Sequence, residues 1–228
     1  MTKQKTFLGV IPARAGSKRL PRKNLLELCG KPLIEWTIEA GVNSKYITEI
    51  IVATDDMDIS RISKNLNMKS IGLPHNLTSD SATIFNTVKY VIENSKKYDY
   101  IVLLQPTSPL RTSAHIDEAI DFLFNKNADA VISVSQAEHN PLWMNSIPSD
   151  CNMSGFLSDS IINKKSQELP VFYRLNGAIY ICNTEKFLRE KTFFIKDKIY
   201  AYVMEKESSV DIDEDIDLKL ASILKQER

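Results

Sequence analysis

Six short apolar runs recur along the chain with helix-like stretches between them, and this alternation restricts the possible folds more than any other feature. TFLGVI (6–11), EIIVAT (49–54), YIVLLQ (100–105), DAVISV (129–134), GAIYIC (177–182) and IYAYVM (199–204) include several that are close to continuously apolar, as strands buried on both faces are. The intervening segments carry a helical period. In ATIFNTVKYVIENSKK the side chains of Ile84, Phe85, Val88, Val91 and Ile92 share one helix face, and Ser79 or Asp80 is the expected N-cap. Strand alternating with helix predicts an α/β domain of three layers on a mostly parallel sheet, with right-handed crossovers. Such sheets bind ligands beyond the carboxyl ends of their strands. With 228 residues the chain can bury one sizeable core.

Residues 139–175 interrupt the rhythm. This stretch contains Pro141, Pro148 and Pro170, shows no firm period, and leaves Trp143 and Phe156 without evident partners. It is long for a plain connection. Two readings stand: a mobile surface excursion, or an arm that buries those aromatics against a second copy of the chain. The second predicts a homodimer and divides the chain into a main domain of residues 1–138 and 176–228 and an arm of 139–175.

Lys plus Arg and Asp plus Glu number 29 each, so no overall field points to nucleic acid or an anionic membrane as partner. Charge-driven chemistry must be local. The apolar run ending at Ile11 is too short for a secretory signal or a membrane span, which predicts a cytoplasmic protein. Cys29, Cys151 and Cys182 lack any CxxC spacing, and His75, His115 and His139 are scattered singly. Neither set suggests a disulfide framework or a zinc site.

The clearest local charge lies in IPARAGSKRLPRKN (11–24), where Arg14, Lys18, Arg19, Arg22 and Lys23 fall within ten residues that contain no carboxylate. Close like charges repel, so a folded loop holding them favours an anion. A polyphosphate suits it: arginine grips phosphate bidentately, lysine acts as a point charge, and Gly16 lets backbone N–H groups approach. Neither GxxxxGK[ST] nor GxGxxG is present. On charge alone a solvated basic turn is an equal alternative. The loop leaves the first predicted strand and QPTSPLR leaves the third, so both should face one crevice.

A second candidate is SVDIDEDIDL (209–218). In an extended segment Asp211 and Asp213 point to one side and can share a hard cation such as Mg²⁺ through oxygen. The alternative is helix capping, since the Ile212, Ile216, Leu220 and Leu224 spacing announces a C-terminal helix, and Asp211 with Glu214 resembles a capping box. Beside a polyphosphate loop the metal reading gains weight, because Mg²⁺ is commonly held by one or two carboxylates plus substrate phosphates. Asp215 and Asp217 then belong to the helix surface.

Together these blocks, with GKPLIEWTI (30–38), IIVATDD (50–56), LTSDSAT (77–83), LLQPTSPLR (103–111) and LNGAIYI (175–181), resemble the acylneuraminate cytidylyltransferases, the CMP-sialic acid synthetases, over nearly the whole chain. The resemblance implies a Rossmann-like nucleotidyltransferase fold with a dimerisation arm. It also implies a Mg²⁺-assisted reaction in which CTP and a nine-carbon 2-keto sugar acid give the CMP-sugar and pyrophosphate. Carried onto this chain, it places Ala13, Arg14, Ser17, Lys18, Lys23 and Asn24 in the nucleotide loop, with Lys23 beside the α-phosphate and Arg14 and Lys18 on the other phosphates. Ala13 also belongs, with Ser79, Asp80 and Ala82, to the part that embraces cytosine and ribose. Gln105, Arg174, Asn176 and Tyr180 would meet the sugar, Arg174 its carboxylate, and Asp211 and Asp213 the metal. Phe193 and Phe194 would reach the sugar pocket of the neighbouring subunit or, equally, pack in the core.

Two departures stand out. Leu73 and Ser166 occupy positions where relatives that handle sialic acid often carry arginine. Lys164 or Lys165 could substitute for the second, or the sugar could be a legionaminic or pseudaminic acid. The eight-carbon sugar acid Kdo as acceptor, and a CTP-binding protein without turnover, are the remaining alternatives.

Overall fold

The structure is a computed structural model and describes residues 4–17, 19–79 and 81–227. The chain opens with β1 (Phe7–Pro12), passes through the basic loop and a two-stranded hairpin of β2 (Glu27–Leu28) and β3 (Lys31–Pro32), and enters α1 (Leu33–Val42). Then come β4 (Ile47–Thr54), α2 (Met57–Asn65), β5 (Lys69–Gly72), α3 (Ile84–Glu93), β6 (Tyr100–Leu103), α4 (Ser113–Asn125) and β7 (Ala130–Gln136). After the irregular stretch the chain forms β8 (Tyr173–Asn183), α5 (Thr184–Glu190), β9 (Ile199–Met204) and α6 (Asp215–Gln226). All six apolar runs are strands. The hairpin and β5 were not anticipated, being short and, in β5, only half-buried.

The seven-stranded sheet has the order β5-β4-β1-β6-β8-β7-β9. It is parallel throughout except for β8, which runs antiparallel to both β6 and β7. Two apolar clusters form its faces. Phe7, Ile11 and Val52 pack toward α1, α2 and α4 through Ile34, Ile38, Ile59, Ile116 and Ile120. Leu8, Val10 and Ile51 pack toward α3 and α5 through Val88, Val91 and Phe187. Residues alternate between these faces along β1, which is why its sequence is apolar at every position. Each fully buried Leu or Ile contributes roughly 1.5–3 kcal/mol relative to exposure. A third cluster, including Leu28, Leu33, Leu110, Ile212 and Ala221, joins the hairpin, the loop after β6 and α6.

Helix starts depart from the expected caps in two places. Thr83 caps α3, its side chain accepting from Asn86 N, in place of Ser79; Asp80 lies outside the described residues. At α6 the capping box is Glu214 with Asp217. Asp211 and Asp213 precede the helix and are not its cap.

The chain leaves β1 toward β4 on one side and returns to β6 on the other. The carboxyl ends of β1 and β6 therefore open a crevice at the point where strand order reverses. Because β8 is antiparallel, its beginning, not its end, faces that crevice. The stretch before it is built of turns and short 3-10 segments at Pro141–Trp143 and Ser166–Glu168. Its neck is closed by Ala137 N donating to Phe172 O at 2.9 Å and by Asn140 Nδ2 donating to Pro170 O at 2.9 Å. Tyr173, Arg174 and Leu175 belong to β8, so the sheet begins three residues before the boundary drawn from sequence. No helix among the described residues is long and apolar enough to cross a membrane.

Candidate active site

The basic loop is anchored before it reaches its charges. Ala13 is buried at the end of β1; its N–H donates to Ala53 O at 2.8 Å and its carbonyl accepts from Thr54 Oγ1 at 2.6 Å. Ala15 N donates to Asp55 Oδ1 at 2.8 Å, and Asn24 Nδ2 reaches back to Arg14 O at 3.1 Å. Arg22, at φ 53, turns out of the crevice: its NH2 meets Asp58 Oδ2 at 2.5 Å and Asp56 Oδ2 at 3.2 Å, fastening the loop to the start of α2. One of the five cations is thus structural.

Two others meet the acidic doublet. Lys23 Nζ lies 2.8 Å from Asp213 Oδ1 and Arg19 NH1 lies 3.0 Å from Asp213 Oδ2, joining segments 190 and 194 residues apart in sequence. The doublet is held in place from both sides. Ile212 N donates to Thr107 O at 2.8 Å, and Asp217 Oδ2 accepts from Asp213 N at 2.9 Å and Glu214 N at 2.8 Å. The loop after β6, the basic loop and the segment before α6 therefore share one crevice.

The two aspartates sit in opposed electrostatic settings. Burial raises the Asp211 carboxyl above the usual range; a bond from Thr107 opposes this, Asp213 raises it further, and Lys23 and Arg174 pull it down. Asp213 is held below the usual range by its bond to Lys23, against some burial, with the charges of Lys23 and Arg19 adding. One carboxylate is thus costly to ionise and the other already ionised. Among the described residues no group of three or more His, Cys, Asp or Glu side chains could hold a metal. A cation bound here takes two carboxylates from the protein and its other ligands from elsewhere, a donor set that fits Mg²⁺ beside phosphate.

Gly177 forms the floor. Its φ is +72°, and a Cβ there would lie 3.0 Å from Gln105 Oε1, 3.3 Å from Asp211 Oδ2 and 3.4 Å from Ser108 Oγ. The position falls in a bulge: Val134 pairs with Leu175 and Ile132 with Tyr180, and Asn176 to Ile179 fill the gap opposite Ser133. Two cavities open nearby, Asp211 lining one and Gln105 the other. One of about 560 Å³ is lined by Glu138, Arg174, Lys206, Asp211, Asp213 and Asp217 among others. The other, about 330 Å³, is lined by Phe85, Gln105, Tyr180, Lys191, Phe193 and Phe194 among others.

The structure divides the expected residues accordingly. Gln105, Tyr180, Phe193 and Phe194 share the smaller cavity; Phe193 is also core, 4% exposed, whereas Phe194 is 54% exposed. Arg174 lies in the larger one, its NH2 2.8 Å from Glu138 Oε1 and 3.1 Å from Ser209 O. Asn176 lines neither cavity. It is fully buried, its Oδ1 accepts from Ser133 Oγ at 2.6 Å and its Nδ2 donates to Ser209 Oγ at 3.0 Å, so it holds the bulge instead. Arg14 NH1 donates to Ser79 O at 2.8 Å, tying the basic loop to the turn at 79–82, where Ala82 N donates to Ser79 O. Ser17 is half-buried on the loop, and Lys18 lies outside the described residues. Leu73 is buried with its N–H on Thr54 O, and Ser166 is exposed. Sequence reasoning passed over Gly177, although a lone Gly inside a strand signals a bulge or close approach, and over Arg19 as the second partner of Asp213.

A family model described as cytidylyltransferase matches residues 8–228. The chain belongs to the cytidylyltransferase family. It is 35% identical over 223 residues to an N-acylneuraminate cytidylyltransferase of Escherichia coli O18:K1:H7, covering 97% of this chain and 52% of that protein. To a CMP-N,N'-diacetyllegionaminic acid synthase of Legionella pneumophila it is 34% identical over 223 residues, covering 96% of this chain and 95% of the other. The cytidylyltransferase fold is also that of a solved CMP:2-keto-3-deoxy-manno-octonic acid synthetase complexed with CTP. That likeness has a TM-score of 0.73 at 16% identity and covers 97% of this chain and 99% of the other. The chain spans about half the length of the N-acylneuraminate cytidylyltransferases it matches.

Proposed function

We propose that this cytidylyltransferase joins CTP to a nine-carbon 2-keto sugar acid, an N-acylneuraminate or a related nonulosonic acid, giving the CMP-sugar and pyrophosphate. The observation that carries the reading is the meeting of Lys23 and Arg19 with Asp213 beside Asp211, in the crevice where strand order reverses. Lys23 is assigned to the α-phosphate, Arg14 and Lys18 to the other phosphates, and Ala13, Ser17 and Asn24 to shaping the loop around them. Ser79, Asp80 and Ala82 are assigned to cytosine and ribose. The sugar lies over Gly177, with Gln105 and Tyr180 beside it, Phe193 and Phe194 at its apolar groups and Arg174 toward its carboxylate. Asn176 acts only by holding the bulge.

The anomeric hydroxyl attacks the α-phosphorus and pyrophosphate leaves. Such transfer rests on positioning and on neutralising charge as it spreads over the phosphate oxygens. Asp211 and Asp213 would hold Mg²⁺, which when bound neutralises phosphate charge. Lys23, which now donates to Asp213, would turn a donor toward the α-phosphate as Asp213 turns toward the metal.

We place the protein in the cytoplasm, where CTP is made; its exposed, unpaired Cys29 and Cys151 accord with a reducing compartment. A homodimer accords with the apolar side chains exposed at 139–175, Met144, Ile147, Ile162 and Val171 among them. The eight-carbon acceptor is the second reading, favoured by the fold likeness to the CMP:2-keto-3-deoxy-manno-octonic acid synthetase. The test is pyrophosphate release from CTP with Mg²⁺ and a panel of eight- and nine-carbon sugar acids. Release is expected only with CTP, a divalent cation and a nine-carbon acid together, and Lys23→Ala is expected to abolish nearly all of it. Turnover unchanged in that variant would overturn the assignment, and CTP binding without any release would make the chain a binding protein.

A further inference from the structure

Arg111 ends the QPTSPLR segment and heads the fully buried side chains by size among the described residues. Its NH1 donates to Gln105 O at 3.1 Å and to Ala178 O at 3.0 Å. Nε and NH2 have no hydrogen-bond partner among the described residues. Burial alone pushes its pKa down to about 9, with no neighbouring carboxylate pulling it back up. The guanidinium is still charged at neutral pH.

A buried cation without a counter-charge is expensive, and two carbonyl bonds do not need one, since a neutral amide donates equally well. The placement suggests what offsets the expense. Gln105 carries the side chain nearest the crevice floor, and Ala178 follows Gly177, which is that floor. Both carbonyls held by Arg111 thus border the seat proposed for the sugar, beside Asp211, where the attacked α-phosphate and its metal must come within reach.

We infer that Arg111 is a positioning residue for the transfer: its guanidinium pins the Gln105 and Ala178 carbonyls beneath the crevice floor and stores a positive charge there that an anionic nucleotide balances. The inference rests on the reading of the crevice as a CTP site. It differs from a purely mechanical role in one respect. A mechanical clamp serves CTP and uncharged cytidine alike, whereas a stored charge serves only the triphosphate.

The test compares equilibrium binding of CTP and of cytidine to the full chain and to two variants, Arg111→Lys, which keeps the charge, and Arg111→Gln, which keeps donors without it. Thermal unfolding confirms that each variant folds. Arg111→Gln is expected to lower the preference for CTP over cytidine by about tenfold or more, the scale of a desolvated charge interaction. Arg111→Lys is expected to retain that preference while kcat falls, because a single ammonium cannot hold both carbonyls in place. An unchanged preference in Arg111→Gln, or equal loss of both ligands, overturns the inference. If Arg111→Gln does not fold, a lost preference or an unchanged kcat in Arg111→Lys overturns it equally. Failure of the unaltered protein to bind CTP would instead reject the functional reading on which this rests.

Discussion

Asp211 and Asp213 are separated by one residue and are not interchangeable. A carboxyl whose pKa is raised by folding binds its proton more tightly in the native than in the unfolded state. Its contribution to stability is therefore present below the ordinary carboxylate pKa and is lost as pH rises through the raised value. Asp211→Asn, which resembles the protonated form, is expected to melt higher than the unaltered protein at pH 7. The advantage should fade below about pH 4, as melting curves at several pH values will show, and pyrophosphate release should be lost throughout. Gly177 yields a second expectation. The atoms a Cβ would crowd are the ends of flexible side chains, Gln105 Oε1 and Asp211 Oδ2, so they can give way. Gly177→Ala should then lose only about 1–2 kcal/mol of stability from its positive φ, measurable by denaturant titration, but impair turnover far more because those two groups are displaced. At this scale the sequence revealed chemistry but not orientation. The cations and the doublet were legible as residue types; the burial of Asn176 was not, because a bulge breaks the alternation from which its direction would be read.

Elements were legible where a run is apolar along most of its length. All six apolar runs became strands, β9 among them although only Met204 in it is buried, while β5, half-buried and beginning at Lys69, carried no such signature. Caps were less legible because acidic and hydroxyl residues crowd both sites, and only the fold decides which one meets a free N–H. Asp217 illustrates this. Read from sequence as helix surface, it instead accepts from Asp213 N and Glu214 N and so fixes both the start of α6 and the direction of Asp213. Asp217→Ala is expected to cost about 1 kcal/mol in thermal unfolding and to weaken the Mg²⁺ dependence of turnover, seen as a higher metal concentration for half-maximal rate. Stability lost with an unchanged metal requirement would confine Asp217 to capping.

Across the whole molecule, the antiparallel strand could not be foreseen, because apolar patterning records burial and is blind to strand direction. The consequence of that reversal is large: it brings the start of β8, with Arg174 and Gly177, to the carboxyl ends of its neighbours. A row of apolar side chains, Leu175, Val134 and Val203, crosses β8, β7 and β9 in register, with Leu175 49% and Val203 54% exposed. Together with the exposed side chains of 139–175, this row suits the face of a second copy. Sedimentation is expected to give twice the chain mass at micromolar concentration, and Val203→Lys to shift it toward the monomer; a monomer before substitution would refute the dimer. The contact between Lys23 and Asp213 has a consequence for selectivity. With Lys23 and Arg19 already paired to Asp213, that part of the resting crevice gives a lone inorganic anion little reason to enter. On the proposed reading, a guest that carries its own counter-ion is expected to replace both halves of the pair at once, which favours a metal-bound triphosphate over its simpler competitors.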